Sequence, residues 1–279
     1  MGSKSFDYAI HSDFLIHWTG KDIDGLYDTE WYNSDKSKTN KAHDVTARYI
    51  RRLFDILCYG LWMTSETEDP WLLNGSSIGV PTTAKTCFTE LKVSESRRHA
   101  RQYGRLGIGV KRPFVFKRYG RPVVYYGFHR DTSHDIFRAR CASDLSDKNL
   151  LNFFKPMNSS ATLDYDFYAE SEWRILHRDE LLSKNLIVDP RNPANTKEHA
   201  YFTKLAPEEQ DKLKYLIPLD GWFAMIIYPS LDVKNEAQQN TRNGVREQIE
   251  RIKTVADHGN KVEGGNRPIE LNLDACRNF

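Results

Sequence analysis

Residues 87–127 read CFTELKVSESRRHARQYGRLGIGVKRPFVFKRYGRPVVYYG, and this stretch carries several secondary-structure signals in one short length of chain. Its patterns predict, in order, a strand at 85–90, a helix at 93–103, and strands at 106–110 and 121–128 joined by a basic loop. Ser94 or Ser96 could cap the start of the helix, and Gly104 would end it. Short strands interleaved with helices in uneven order favour an α+β fold over a doubly wound parallel sheet.

The same kinds of pattern extend outward on both sides of this stretch. They predict further strands at 13–19, 172–178 and 222–229, and helices at 43–63, 144–154, 207–214 and 236–257. His43 and Asp44 offer an N-cap to the first of these helices. Polar or Gly- and Pro-rich segments predict loops at 20–42, 66–82 and 189–200. We therefore expect one α+β domain over residues 1–258, followed by a C-terminal tail at 259–279.

Composition bounds the class of protein. The chain has 279 residues, of which 39% are hydrophobic and 12% aromatic, so a packed core is expected. A net charge of +2 is smaller than a protein that coats nucleic acid usually carries. The four cysteines have no CxxC spacing, so neither a zinc site nor a thioredoxin-like motif is indicated, and we predict no metal site. With no long apolar run at the start and none that could span a bilayer, we expect a cytoplasmic protein without a membrane partner.

Three blocks of the sequence together resemble the AbiGi family of bacterial abortive-infection proteins. The blocks are FLIHWTG at 14–20, the stretch at 87–127 and YAESEWRILH at 168–177, with a weaker likeness in KYLIPLDGWFAMIIYP at 214–229. The matching residues are His17, Trp18, Thr19, Cys87, Phe88, His99, Tyr103, Gly104, Gly107, Ile108, Gly109, Pro122, Val123, Tyr125, Glu170, Glu172, Trp173 and Arg174. The polar inserts at 20–42 and 189–200 depart from the family pattern. The resemblance implies a role in phage defence and, because family members are commonly antitoxin-like partners in two-gene systems, a cognate toxin or antitoxin.

The order of a His, a Tyr and a Glu on three separate segments also resembles the ADP-ribosyltransferase fold. In that fold a split mixed β-sheet flanked by helices holds NAD in a cleft. The resemblance implies that His17 binds the adenosine-side ribose, Tyr103 stacks on nicotinamide and Glu172 binds the nicotinamide ribose, with Glu170 as the rival for the last role. The start IHWTG is similar to the His-x-Thr opening of DarT-like enzymes, which modify nucleic acid, and this adds Thr19 to the NAD-binding residues. NAD as a substrate, consumed by a transferase or a glycohydrolase, is what the resemblance implies.

These residue types suit cleavage of the bond between nicotinamide and ribose. Positive charge builds on the ribose as the bond breaks, and a carboxylate near the 2′-hydroxyl stabilises it. An aromatic face suits the flat cationic ring, an imidazole both donates and accepts hydrogen bonds, and Gly104 would let backbone approach the ligand closely.

Glu170, Glu172 and Arg174 are spaced two residues apart around the predicted half-buried strand at 172–178. Alternating side chains of a strand point to opposite faces, so all three are expected on one face. Arg174 would then either bind NAD or pair with one of the two carboxylates.

Two other interpretations remain open. The most concentrated basic stretch of the chain includes Arg97, Arg98, Arg101 and Arg105. Such a stretch would contact the phosphates of a nucleic acid or an acidic partner protein, and the chain would then be a non-catalytic antitoxin-like regulator or sensor. The third interpretation is a nuclease that uses the carboxylates of Glu90, Glu170 and Glu172, although the sequence contains no recognisable nuclease motif.

Overall fold

The structure is a computed structural model, and it describes residues 13–24, 39–65, 71–73, 76–90, 95–126, 146–156, 170–254 and 267–277. Its strands are β1 (Phe14–Thr19), β2 (Leu61–Ser65), β3 (Trp71–Leu73), β4 (Ser76–Ile78), β5 (Ala84–Thr89), β6 (Leu106–Lys111), β7 (Arg121–Pro122), β8 (Val124–Tyr126), β9 (Phe154–Pro156), β10 (Glu172–Leu176), β11 (Leu213–Ile217), β12 (Phe223–Tyr228) and β13 (Ile269–Asn272). Its α-helices are α1 (Lys21–Asp24), α2 (Thr39–Tyr59), α3 (Ser96–Tyr103), α4 (Arg112–Phe116), α5 (Asp179–Ser183), α6 (Thr196–Phe202), α7 (Pro207–Lys212), α8 (Leu231–Gln239) and α9 (Val245–Thr254). Short 3₁₀ helices occupy Lys148–Phe153, Thr241–Asn243 and Ala275–Arg277.

One mixed sheet of nine strands organises this part of the chain. Its strands follow the order β11-β2-β5-β1-β6-β12-β13, and β10 pairs with both β5 and β7. The pairs are antiparallel except for β12 with β13, which are parallel. Two small sheets, β3 with β4 and β8 with β9, complete the described strands. The coarse prediction of a mixed sheet flanked by helices is therefore confirmed.

The sheet divides along one edge of β5. β10 covers the opposite edge of β5, pairing Glu172 with Thr89 and Leu176 with Lys85. On the divided edge, β2 pairs with the start of β5 at Lys85, and β1 pairs with its end at Thr89. Between those two positions, that edge pairs with no strand that the structure describes, so β1 and β2 leave a gap in the sheet.

Apolar side chains cover both faces of the sheet. The main core packs α2, α8 and α9 against one face, with Tyr49, Leu53 and Ile249 almost completely buried. A second cluster on the opposite face joins Trp18 of β1 to Ala100 of α3. Helices therefore flank the gap between β1 and β2 on both sides of the sheet.

The helix predicted at 43–63 is wrong at both ends. α2 begins at Thr39, so His43 and Asp44 lie inside the helix and do not cap it. It ends at Tyr59 because Gly60 adopts φ +108°, where a Cβ atom would lie 2.2 Å from the carbonyl oxygen of Ile217. The apolar residues beyond Gly60 form β2 against β11. Apolar spacing alone does not separate the end of a buried helix from a buried strand.

Several predicted loops contain regular structure. The loop predicted at 20–42 begins with α1 and ends in the first turn of α2, and the loop predicted at 66–82 contains β3 and β4. The basic loop before 121–128 contains α4. The insert predicted at 189–200 includes the start of α6. The tail predicted at 259–279 supplies β13, which pairs with β12. Residues 25–38, 66–70, 74–75 and 255–266 lie outside the described part of the chain. Tertiary pairing stabilises short elements that have no strong pattern of their own.

Other helix and strand predictions differ in detail. The helix at 236–257 is two helices, since Gly244 adopts φ +71° between α8 and α9. Residues 127–128 and 144–145 lie outside the described part of the chain; in the rest of the two predictions, the helix at 144–154 is a 3₁₀ helix followed by β9, and the strand at 121–128 divides into β7 and β8. α3 begins at Ser96 after Glu95 with no side-chain cap, and Ser94 lies outside the described residues. The strands predicted at 13–19, 85–90, 106–110 and 222–229 and the helix at 207–214 are confirmed within a few residues.

Candidate functional site

A cavity of about 600 Å³ lies at the gap between β1 and β2. Residues of β1, β2, β5 and β10 line it, together with side chains from α2 and α3. Its volume falls within the range of about 300–1,000 Å³ that small-molecule sites usually have. Because β1 and β2 pair only with opposite ends of β5, the cavity extends into the sheet between them.

The cavity brings together most of the residues that the sequence predicted. Its lining includes His17, Thr19, Tyr103, Glu170, Glu172 and Arg174. Three segments far apart in the sequence therefore converge on one space. Gly104 is not among the lining residues. With φ +109° it sits against the backbone of Thr19 and Lys21, where a Cβ would come within 2.3 Å, so its small size serves packing between α3 and the end of β1.

A chain of hydrogen bonds and ion pairs forms one wall of the cavity. The Tyr103 hydroxyl donates to Glu170, and the Lys155 ammonium lies 2.6 Å from the other oxygen of Glu170. The same ammonium lies 2.9 Å from Glu172, to which Arg174 donates from Nε at 2.7 Å. The two carboxylates and two cations balance in charge, as buried ionic groups must.

The strand that carries this wall is more buried than its alternating sequence predicted. Every residue of β10 is buried, and the exposed fractions of Glu172 and Arg174 are only 6% and 3%. The expectation of a half-buried strand is therefore wrong. Charged residues in a strand usually indicate a face exposed to solvent, because charged side chains are seldom buried without a partner. Here Glu172 and Arg174 are buried and pair with each other.

Glu170 reaches the same space as Glu172 by a route that strand alternation does not explain. β10 begins at Glu172, and the intervening Ser171 adopts φ +44°, in the left-handed region. This local turn is held by a hydrogen bond from the Glu90 amide to the Ser171 carbonyl. Left-handed non-glycine residues carry strain that the surrounding structure must stabilise, and such residues cluster at functional sites.

The ion pairs fix the protonation states of this wall. Burial by itself would raise the pKa of Glu172, but the charges of Arg174 and Lys155 outweigh it and hold that pKa far below its usual range. Burial disfavours the Lys155 ammonium as well, yet the two carboxylates raise its pKa. Glu172 is therefore a carboxylate and Lys155 an ammonium throughout the physiological pH range.

His17 stands in the gap as a neutral imidazole. Burial lowers its pKa from 6.5, the hydrogen bond to Cys87 opposes that shift, and the charge of Arg52 adds to it. Nδ1 lies 2.9 Å from the Cys87 carbonyl oxygen, which can only accept, so Nδ1 is the protonated nitrogen. The neutral ring then has an acceptor at Nε2. The imidazole thereby replaces part of the backbone pairing that β5 lacks at the gap.

Thr19 and α2 form a second polar edge of the cavity. Arg52 donates to the Thr19 hydroxyl at 3.1 Å and to Asp22 at 2.6 Å. All three residues line the cavity, and the Arg52 side chain is 30% exposed. Thr19 is thus held by a cation that could also meet an anionic ligand.

Sequence reasoning missed Lys155, Tyr125 as a site residue, and Arg52. Lys155 comes from the short β9, where the sequence NFFKP has no feature that marks a site. Tyr125 accepts a hydrogen bond at 2.8 Å from the Glu172 amide, whereas the sequence analysis named it as a residue that matches the AbiGi pattern and gave it no role in the site. Arg52 had no usable signal either, because the apolar positions Tyr49, Leu53 and Leu57 keep helical spacing around it.

The predicted basic stretch is divided among different environments. Arg97 forms a 3.0 Å ion pair with Asp274, Arg101 is exposed, and the Arg105 guanidinium lies 5.8 Å from the centre of the Tyr49 ring. The side chain of Arg98 lies outside the described part of the structure. Among the three members whose side chains are described, Arg101 is therefore the exposed one.

The three carboxylates of the nuclease interpretation do not form one cluster. Glu90 pairs with Arg112 and accepts a hydrogen bond at 2.8 Å from the indole of Trp173. Trp173 points to the face of β10 opposite Glu172, since neighbouring residues of a strand alternate. Among the described residues, no group of three or more His, Cys, Asp or Glu side chains is arranged to hold a metal ion.

Comparisons of this chain with protein-family models, with curated proteins and with solved structures found no match. Within the residues that the structure describes, no helix combines the length and the apolar character that crossing a bilayer requires.

Proposed function

We propose that this protein is an NAD-consuming, ADP-ribosyltransferase-like effector of phage defence that binds NAD in the cavity between β1 and β2. The observation that carries the proposal is the convergence of His17, Tyr103 and Glu172 on one cavity. These are the three residue types that the resemblance to ADP-ribosyltransferases selected, and they come from three distant segments. The resemblance to AbiGi proteins supplies the biological setting.

Each side chain has chemistry suited to its proposed role. The Glu172 carboxylate stays ionised, so it can stabilise positive charge that develops on the ribose as nicotinamide leaves. The neutral imidazole of His17 has an acceptor for a ribose hydroxyl. The Tyr103 ring lines the cavity and is held by its hydroxyl on Glu170, and an aromatic ring suits a flat cationic ligand. Glu170 and Lys155 act as positioning groups around Glu172.

The test is nicotinamide release from NAD by the purified full-length protein, followed by chromatography, with ADP-ribose binding measured by calorimetry. We expect Glu172→Gln to lower turnover about 100-fold or more, since removal of one electrostatic stabiliser typically has that effect. Glu208→Gln, an exposed change on α7, is the control for the loss of one carboxylate charge. In phage-challenged cells, Glu172→Gln should abolish protection and Glu208→Gln should not. A wild-type protein that neither binds nor consumes NAD would refute the proposal.

A second candidate, a non-catalytic regulator, is favoured by one specific observation. Both oxygens of Glu172 already meet cations, Arg174 on one side and Lys155 on the other, so a ribose hydroxyl must compete for them. A regulator would bind a nucleotide without cleaving it, so it would not need a free carboxylate at Glu172. Nucleotide binding would then alter its contact with a toxin partner or with nucleic acid.

The basic segment distinguishes the two candidates. Arg101→Glu reverses an exposed charge on α3, and Arg242→Glu reverses an exposed charge far along the chain as a control. For a regulator that contacts nucleic acid or an acidic partner, Arg101→Glu should abolish protection while Glu172→Gln leaves it intact. The opposite pattern supports the enzyme.

A further inference from the structure

The polar edge of the cavity, formed by Thr19, Asp22 and Arg52, contains a guanidinium in the geometry that binds a doubly charged oxygen group. Both terminal nitrogens of Arg52 donate to Asp22, Nη2 at 2.6 Å and Nη1 at 3.3 Å. Nη1 also donates to the Thr19 hydroxyl at 3.1 Å. A guanidinium recognises carboxylates and phosphates alike through this paired contact. Asp22 therefore occupies a position that a phosphate group can also take.

The backbone on both sides of this ion pair is held by the protein core. The Tyr49 hydroxyl donates to the Gly20 carbonyl at 3.2 Å, and the Ile23 side chain is buried in the main core. Arg52 projects from α2, which packs in the same core through Tyr49 and its neighbours. An exchange of Asp22 for another anion would therefore need only side-chain rotation.

Exposure separates this ion pair from the buried cations of the cavity. The side chains of Arg52 and Asp22 are 30% and 63% exposed, whereas those of Lys155 and Arg174 are 16% and 3% exposed. Lys85, which also lines the cavity, is buried. An exposed ion pair contributes little to stability, so an anion can replace Asp22 at small cost. Separating a buried pair costs much more, so Lys155 and Arg174 keep their carboxylates.

Repulsion between like charges favours the same choice. A phosphate beside Lys155 or Arg174 would approach the carboxylates of Glu170 and Glu172, which those two cations hold. Negative charges a few ångströms apart repel each other strongly in a buried site. At the polar edge, the carboxylate that binds the cation belongs to Asp22, whose exposed side chain can turn away into solvent.

The polar edge also lies beside the proposed ribose contact. Thr19 and His17 are two residues apart in β1 and therefore share a face of the strand. The Thr19 hydroxyl accepts from Arg52 and has one hydrogen of its own, which it can donate to a phosphate oxygen. Lys21 lines the cavity as well, and its exposed side chain adds attraction for an anion. A phosphate held by Arg52 would thus be a near neighbour of a ribose bound at His17.

We propose that Arg52 is the phosphate-binding residue of the cavity, and that Asp22 occupies its guanidinium until a phosphate of the ligand displaces it. This inference rests on the proposed function for the identity of the ligand as NAD. Phosphate binding itself can be tested without catalysis. Because Asp22 competes with the ligand, the inference predicts effects of opposite sign for changes at the two partners of one ion pair.

The experiment measures by calorimetry how tightly ADP-ribose, inorganic pyrophosphate and adenosine bind to the full-length wild type and its variants. We expect Arg52→Gln to weaken ADP-ribose and pyrophosphate about tenfold or more and to change adenosine, which has no phosphate, less than about twofold. Arg52→Lys keeps the charge without the paired geometry and should recover only part of the affinity. Asp22→Asn should tighten ADP-ribose and pyrophosphate about threefold, because the competing carboxylate is removed.

Two control variants carry the same changes of charge elsewhere. Arg51→Gln is matched to Arg52→Gln, since Arg51 is the preceding residue of α2, is exposed and is not among the lining residues. Asp211→Asn, an exposed change on α7, is the control for Asp22→Asn. Each should change affinity less than about twofold. Partial unfolding would weaken binding in every variant, so it cannot produce the opposite effects expected for Arg52→Gln and Asp22→Asn.

The outcomes separate this inference from the proposed function. A wild type that binds pyrophosphate through Arg52 but never releases nicotinamide from NAD supports the phosphate site and refutes the enzyme. A wild type that consumes NAD with the same KM as Arg52→Gln refutes the phosphate site and leaves the enzyme intact. Three further results also overturn the phosphate site: weaker binding of ADP-ribose to Asp22→Asn, equal weakening of adenosine and ADP-ribose in Arg52→Gln, or a wild type that binds neither ADP-ribose nor pyrophosphate.

Discussion

The Lys155 ammonium lies 2.9 Å from a carboxylate oxygen of Glu172, and the two residues come from different sheets. Lys155 of β9 is paired in register with Tyr125 of β8, whose hydroxyl accepts a hydrogen bond from the Glu172 amide at 2.8 Å. A single cross-strand pair therefore holds both the side chain and the backbone of Glu172. The small β8–β9 sheet orients the wall of the cavity through this pair.

Lys155→Met should destabilise the protein by about 3 kcal/mol at pH 7, since removing one partner of a buried ion pair leaves uncompensated charge. Glu170 and Glu172 would then repel each other across the space that the ammonium occupies. Urea unfolding measures the loss, and Lys155→Arg, which keeps the charge, should recover part of it. A Met variant as stable as the wild type would show that Lys155 does not hold the wall.

Glu172→Gln should also destabilise the fold by about 3 kcal/mol, because it leaves Arg174 and Lys155 with one carboxylate between them. Glu208→Gln on the exposed face of α7 should change stability by less than about 0.5 kcal/mol. Chemical denaturation of both variants tests this. Activity measurements on Glu172→Gln need to be made where the variant remains folded, and a variant with unchanged stability would argue against the buried pairing.

Stability should fall in acid because of Glu172. Its folded pKa lies below its unfolded value of about 4.3, so its contribution is complete above that value and is lost as the pH falls toward the folded pKa. The raised pKa of Lys155 contributes stability below about pH 10.4 that is lost as the pH rises through the folded value. Urea midpoints at pH 7 and pH 3 should therefore differ more for the wild type than for Glu172→Gln, and equal pH dependence would contradict the assignment.

His17 should titrate below its ordinary pKa of 6.5. A lowered folded pKa means that the unfolded chain binds the proton more readily, so this residue favours folding less as the pH falls through about 6.5. Nitrogen NMR of labelled protein should show Nδ1 protonated and Nε2 unprotonated at pH 7. A doubly protonated ring at that pH would remove the acceptor that the proposed ribose contact needs.

Gly104→Ala should destabilise the protein by more than about 1 kcal/mol, because the new Cβ would clash with the backbone of Thr19 and Lys21 at a positive φ. Gly79→Ala is the control, since nothing lies within 4 Å of its Cβ position. Thermal unfolding compares the two. If Gly104→Ala instead keeps full stability and loses only nucleotide affinity, the sequence-based role of Gly104 beside the ligand is the better one.

The sequence by itself determined the strands whose apolar pattern is unambiguous and the shared face of Glu172 and Arg174. Strands β1, β5, β6 and β12 are short apolar runs bounded by polar or turn residues, and this pattern is local. The two-residue repeat of a strand likewise follows from backbone geometry, so the pairing of Arg174 with Glu172 was among the outcomes that the sequence allowed.

Tertiary structure alone decided where the sheet divides and which cation completes the site. Pairing of β1 and β2 with the same edge of β5 depends on contacts between residues distant in the sequence, and no local pattern encodes it. Lys155 comes from a segment without periodicity, and only its register with Tyr125 brings it to Glu172. The physical reason is the same in both cases: hydrogen-bond registry and charge compensation act between segments that become neighbours only when the chain has folded.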